Sequence, residues 1–332
     1  MIPDERTPEE LVESLDGLIP DLMIDEKVPG LSIAVIEGAE VTWKKGYGVR
    51  SASSSEPMTP RTVFSAQSLS KPVAAYAAMK LCEGGFMELD VPLESYLSSS
   101  FIPGVPQLRR VTMRHVLSHS SGLPNWPTQG GPLKLLFEPG EGYSYSGFGF
   151  VYLQVVMGHL TGRPFEEHVA ETLLKPLGLE GSSFVWRDEF EAGAEAHGRD
   201  AEPLGIPRMT EANAAASLYT TPREYARVMI AMMRPTGGNS CLSEASTMEM
   251  LRPQVRVDDS QSRGLGWGIY QTASGDLFGQ HGKQFPESGY QHLAVASREL
   301  KRGVVVMTNG GDGLKACKEG VRELFGLDEL TI

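Results

Sequence analysis

The chain has 332 residues, 41% of them hydrophobic and 22% charged, enough apolar material for one large domain or two modest ones. Its formal net charge of −12 argues against a nucleic-acid binder, whose electrostatic footprint is basic. No apolar run approaches the roughly eighteen residues that a membrane span requires. Cys82, Cys241 and Cys317 are far apart and odd in number, which suits neither a zinc site nor a disulfide framework. The opening MIPDERTPEELVESL is acidic and polar, unlike the basic-then-apolar start of an export signal. The expectation is a cytoplasmic protein with free thiols and with neither nucleic-acid nor membrane partners.

In chain order, residues 7–26 read as a helix opened by a Thr7/Glu10 capping box. Two strand-like runs follow at 30–38 and 40–49, close enough to form a hairpin. A Ser-rich polar loop leads to SAQSLSKPVAAY (65–76). There Leu69, Val73, Tyr76 and Ala77 recur as the apolar stripe of a helix. Residues 85–110 carry no clear period. VTMRHVLSHSSGLPNW (111–126) predicts a helix stopped by Gly122 and Pro124, and residues 148–185 predict a helical region broken at Gly162, Pro164 and 176–178. The last third changes to short strand candidates, GLGWGIYQT, DLFGQHG, YQHLAVASRE and RGVVVMTNG, before a closing amphipathic helix at 313–327. Strands at both ends and helices between them predict an α+β sandwich: an antiparallel sheet built from residues 1–65 and about 255–332, flanked by helices, with a mostly helical region inserted at about 66–254. The whole chain, 1–332, is read as a single catalytic domain.

Ser68 and Lys71 lie three residues apart and share a helical face. A buried ammonium is costly unless paired or deprotonated, so this pair offers a base beside a nucleophile, although one Ser-x-x-Lys is expected by chance in a chain this rich in serine. His115 and His119 lack the glutamate of a His-Glu-x-x-His metal site, and capping or core packing accounts for both. Gly-x-Ser-x-Gly is absent, GFGFVY lacks the third glycine of a dinucleotide fingerprint, and there is no P-loop. In PGEGYSYSGFGF (139–150), Tyr145 reads equally as a core tyrosine or as a functional one. His281 falls in a Gly-rich turn between two strands, where a structural role is the commoner one.

Taken in order, SLSK, VTMRHVLSHSSGLP, PGEGYSYSGFGF, GLGWG and GQHGK resemble the serine β-lactamase-like superfamily, with class C β-lactamases, the related D-Ala-D-Ala peptidases and family VIII carboxylesterases as the nearest types. The resemblance runs over nearly the whole chain and implies the penicillin-binding protein fold. It implies Ser68 as nucleophile, with Lys71 and Tyr145 sharing the base role as a coupled pair whose proton the sequence does not assign. It implies backbone N–H donors from Ser68 and Gln284 for the oxyanion, with no cofactor and no metal.

Two departures bear on the substrate. Tyr145-Ser146-Gly147 replaces the family's Tyr-x-Asn, and glycine can neither hold a substrate amide nor contact the lysine. His281-Gly282-Lys283 stands at the Lys-Thr-Gly motif, where Lys283 either obstructs the third place or shifts the register by one residue. The segment from His281 to Gly289 reads as longer than usual. These departures point to a small-molecule ester over an amide, hence to a serine hydrolase cleaving short-chain acyl esters through a Ser68 acyl-enzyme. The alternatives are a β-lactamase or D-amino-acid peptidase, an acyltransferase, and a non-catalytic binding protein of the same fold. Gly147, His281, Trp126 and Trp267 are the candidate substrate contacts, each tryptophan being equally readable as packing. The sequence leaves the oligomeric state open.

Overall fold

The computed structural model describes residues 7–128, 131–238, 241–272, 275–284 and 289–327. Helix α1 (Pro8–Asp25) begins at the predicted capping box, where the Thr7 N–H donates to Glu10 Oε2 at 2.7 Å and the Glu10 N–H to Thr7 Oγ1 at 3.2 Å. Strands β1 (Gly30–Glu37) and β2 (Glu40–Gly48) form the predicted hairpin. The short pair β3 (Phe64–Ser65) and β6 (Tyr219–Thr220) brackets the inserted region, and β4 (Ala196–His197) pairs with β5 (Pro203–Gly205). The remaining strands are β7 (Val255–Arg256), β8 (Gln261–Arg263), β9 (Gly268–Thr272), β10 (Gly275–Lys283), β11 (Gln291–Ser297) and β12 (Arg302–Thr308).

Eight of these strands form one antiparallel sheet in the order β2-β1-β12-β11-β10-β9-β8-β7. The hairpin from the N-terminal end thus joins the C-terminal strands through the β1–β12 pairing, as the sequence pattern predicted. Successive strand side chains point to opposite faces, so the runs IAVI (33–36) and VVVM (304–307) supply both layers at once. Ile33, Val35, Val304 and Val306 face α1 and α8 (Leu314–Phe325), against Leu15, Ile19, Val321 and Leu324. Ala34, Ile36, Val305 and Met307 face the opposite core, shared with α2 (Ser70–Glu83) and α6 (Pro222–Met233). Each fully buried aliphatic contributes about 1.5–3 kcal/mol against solvent exposure, and a sheet covered on both faces gathers that gain from every position.

The inserted region departs from its predicted outline. Helix α2 is buried on all sides, with Val73 through Ala78 essentially inaccessible, so it is a central core helix rather than a striped one. Small side chains, four of them alanine, let neighbours close around it. The predicted 111–126 helix is cut to α3 (Met113–Leu117), because His119 takes a left-handed φ of 58° and Gly122 follows at 75°. Residues 148–185 resolve into α4 (Gly147–Thr161) and α5 (Phe165–Val169), broken where Gly162 adopts φ 64°. Helix α7 (Glu244–Leu251) precedes the sheet's return. No helix among the described residues is long and apolar enough to cross a membrane.

Candidate active site

Ser68 lies on a single 3-10 turn (Gln67–Leu69) that feeds directly into α2. Its entry is strained: Gln67 has φ 52°, a left-handed conformation costing a non-glycine residue roughly 1–3 kcal/mol. The surroundings hold it in place. Ser70 Oγ donates to the Gln67 carbonyl at 2.6 Å and accepts the Leu218 N–H at 2.9 Å, while Ala66 N–H donates to the Leu218 carbonyl at 2.7 Å. The second serine of SLSK is therefore a brace for the first.

Lys71 is 2% exposed. Its Nζ donates to Ser68 Oγ at 3.0 Å and to the Ala215 carbonyl at 2.9 Å, and it lies 4.8 Å from the centre of the Tyr145 ring. Tyr145 is partly buried, and burial alone would raise its phenol. The Lys71 charge, hydrogen bonds from Ser68 and Lys71, and the charge of Arg263 outweigh that, holding it below the usual tyrosine range. The side chains of Ser68, Lys71 and Tyr145 thus meet at one point.

The loop carrying Tyr145 is fixed by His119. The Ser146 N–H donates to His119 Nδ1 at 3.0 Å, and the imidazole stacks on the Tyr145 ring at 4.3 Å. Burial, then Arg263 and Lys71, push the His119 imidazole well below its ordinary value, so the ring is neutral and its Nδ1 remains an acceptor. His115 instead caps α3, its Nδ1 accepting the Thr112 N–H at 3.3 Å. The SHSSGLP stretch that carried the resemblance is thereby explained as a support for Tyr145. Ser146 caps α4, accepting the Gly149 N–H at 3.0 Å and donating to the Pro124 carbonyl at 2.8 Å.

These groups open on a cavity of about 430 Å³, whose walls include Asn125, Trp126, Arg263, Gln280 and His281. Trp126 stands at the rim, 48% exposed. Gly147 sits behind it: a β-carbon there would lie 2.8 Å from Trp126 Cζ2 and 3.2 Å from Asn125 Oδ1, which accepts the Gly147 N–H at 2.8 Å. His281 Nε2 meets Gln291 Oε1 at 2.8 Å. Because Gln291 Nε2 donates to the Gly311 carbonyl, the imidazole is the donor in that contact. Burial lowers its pKa, so the ring is held neutral with Nδ1 as its acceptor.

Two sequence expectations are corrected. Trp267 is not a cavity wall. It is fully buried, edge-on to Phe278 at 5.1 Å, because its position before β9 turns it into the core. Gln284 is not placed to serve as an oxyanion donor, because its N–H donates to the Tyr290 carbonyl at 3.3 Å. In an antiparallel pair, alternate residues turn their N–H groups toward and away from a given neighbour. The N–H of Lys283 is therefore the one directed away from β11, beyond the point where β9 has ended at Gly268.

The third motif accordingly reads Gln280-His281-Gly282, the one-residue shift that Lys283 had left open. Gly282 marks the close approach: a β-carbon there would lie 2.7 Å from the Ala66 carbonyl oxygen and 3.1 Å from Leu69 Cγ. Most of the segment between His281 and Gly289, read as unusually long, lies outside the described residues.

This register is testable. Gly282→Ala sets a methyl against backbone that cannot swing aside, and is expected to cost about 1–3 kcal/mol and to lower turnover by pushing β10 off the Ser68 turn. Lys283→Ala, at an exposed position, is expected to leave stability within about 0.5 kcal/mol. Thermal melting of the two variants decides it. A tolerated Gly282→Ala would put the close approach elsewhere.

Asn125, Gln280 and Arg263 escaped sequence reasoning, and His119 was read there as capping or core packing. His119 and Gln280 both lie inside stretches that carried the resemblance, SHSSGLP and GQHGK, and a one-residue shift would have found Gln280.

The beta-lactamase family model matches residues 15–324. Esterase EstB of Burkholderia gladioli is 24% identical over 90% of this chain and 90% of its own length. The octameric penicillin-binding protein homologue from Pyrococcus abyssi superposes with a TM-score of 0.82 at 25% identity, over 95% of this chain and 77% of that one. D-alanine carboxypeptidase AmpC from Burkholderia cenocepacia gives 0.81 at 18% identity, over 97% and 100% respectively. A match running from the first helix to the last rests on the whole fold rather than on one short motif, and the chain belongs to the beta-lactamase family, as a serine hydrolase.

Proposed function

We propose that this protein is a carboxylesterase that cleaves short-chain acyl esters through an acyl-enzyme on Ser68. The observation that carries the reading is Gly147, which stands where an amide-holding asparagine would be, with the Trp126 indole across the space its side chain would need. The contact of Lys71 with Ser68 Oγ and with the Tyr145 ring supports acyl transfer at this point. A relative matched over 90% of both chains is named an esterase, which supports the same choice.

In this mechanism Ser68 Oγ attacks the ester carbonyl carbon as its proton passes to the Tyr145 oxygen, itself held by Lys71. The N–H groups of Ser68 and Lys283 receive the developing oxyanion, an arrangement in which one donor typically contributes about 3–4 kcal/mol. The tetrahedral intermediate collapses with cleavage of the C–O bond, and the departing alkoxide takes the proton from Tyr145. Water then repeats the sequence on the acyl-Ser68 ester, releasing the carboxylic acid.

A second reading, hydrolysis of β-lactams or D-amino-acid amides, is favoured by Asn125. Its carboxamide lines the same wall, with Oδ1 already held by the Gly147 N–H, leaving its amino group as a donor for a substrate carbonyl. Hydrolysis of p-nitrophenyl butyrate and of nitrocefin by wild type and Ser68→Ala separates the two. The expected result is ester turnover that falls at least about a thousandfold in Ser68→Ala, with slow nitrocefin. Fast nitrocefin turnover would favour the second reading, and equal activity of both proteins would remove Ser68 from the chemistry.

A further inference from the structure

Arg263 is a half-buried guanidinium on the cavity wall, its Nε buried without a hydrogen-bond partner, and the groups that favour its charge are phenols: Tyr270, Tyr143 and Tyr145. No carboxylate pairs with it among the described residues. Drawing a cation partly out of water with no acid beside it is unfavourable, yet this one is held in a defined place. Its Nη1 donates to Gln280 Oε1 at 3.2 Å, and Gln280 Nε2 donates to the Tyr145 oxygen at 3.1 Å. The guanidinium also lies 5.7 Å from the Tyr145 ring and 5.9 Å from that of Tyr143. An amide whose oxygen accepts from a cation is polarised, and its N–H donates more strongly. Gln280, at the first place of the third motif, is thus a neutral side chain with a charge directly behind it.

We propose that Arg263, acting through Gln280, is the positioning residue that keeps the Tyr145 oxygen aimed at Ser68 and ready to accept its proton. Lys71 supplies one cation to Tyr145 from α2, and Arg263 supplies the second from β8, relayed by an amide. The other groups facing Tyr145 are His119, stacked on its ring, and the phenols of Tyr143, Tyr225 and Tyr270. None of these is a cation that could stand in for Arg263, since His119 is neutral.

The inference rests on Tyr145 as the proton acceptor for Ser68. It is tested by pH profiles of kcat/KM on p-nitrophenyl butyrate, followed at the isosbestic wavelength of nitrophenol. Arg263→Gln is expected to move the acid limb up by about one pH unit, a roughly tenfold loss below it that closes at alkaline pH, with KM little changed. Gln280→Leu cuts the relay while leaving the charge, and is expected to shift the limb in the same direction. Arg263→Gln/Gln280→Lys, which restores a cation beside Tyr145, is expected to return it. An acid limb unmoved in Gln280→Leu, or a loss confined to KM in Arg263→Gln, overturns the inference; the latter would make Arg263 a substrate contact. Should Arg263→Gln fail to fold, Gln280→Leu alone decides. Activity surviving in Ser68→Ala would instead overturn the reading of the site itself, so the two failures are distinguishable.

Discussion

Lys71→Met is expected to lower kcat/KM for p-nitrophenyl butyrate by on the order of a thousandfold while the protein still folds. The substitution removes the donor 3.0 Å from Ser68 Oγ and the strongest charge holding the Tyr145 phenol down. Folding is expected to tolerate it, because methionine fills nearly the same volume and the desolvation cost of a buried ammonium disappears with it. What remains is the Ala215 carbonyl without its partner, a cost of about 1–3 kcal/mol. Steady-state kinetics beside a thermal melt checks both halves. Activity within a few-fold of wild type would mean that the Ser68 proton leaves by another route.

Tyr145→Phe is the second large expected effect, a loss of roughly a hundredfold to ten-thousandfold in kcat/KM, and its pH dependence carries a sign. The phenol is lowered in the folded protein because Lys71, Ser68 and Arg263 outweigh burial. Its proton-accepting form therefore gains population at lower pH than a free tyrosine, with its ordinary value of about 10, would allow. Wild-type activity should rise with pH through that lowered value and then level off. Tyr145→Phe should lose this limb together with the rate, since no oxygen is left to titrate. Lys71→Met keeps the oxygen but removes the leading counter-charge, so its residual activity should rise only at more alkaline pH. Two profiles of the same shape and midpoint as wild type would show that Tyr145 does not set the limb.

The divisions between legible and illegible follow chemistry. SLSK, SHSSGLP and PGEGYSYSG were readable because each concentrates turn-formers and polar side chains that a plain core would exclude, and together they recur in a fixed order. The β7–β8 hairpin escaped notice because Val255–Arg256 and Gln261–Arg263 are too short and too polar for a period-two signal. Arg263, which reaches Tyr145 through Gln280, sits on that hairpin.

From the sequence alone came the antiparallel sheet closed between the chain's two ends, the Ser68–Lys71 spacing, and Tyr145 as a candidate partner. Those features are local: periodicity, helical geometry and motif order are written in neighbouring residues. The tertiary structure alone decided the rest. It turned Trp267 inward, bonded Gln284 to Tyr290, made Gly282 the residue pressed on Ala66, and set His119 under Tyr145. The physical reason is that a one-residue shift in strand register exchanges which N–H groups and side chains face the site. Such a shift is settled by packing against α2 and the Ser68 turn, contacts made between residues about two hundred positions apart.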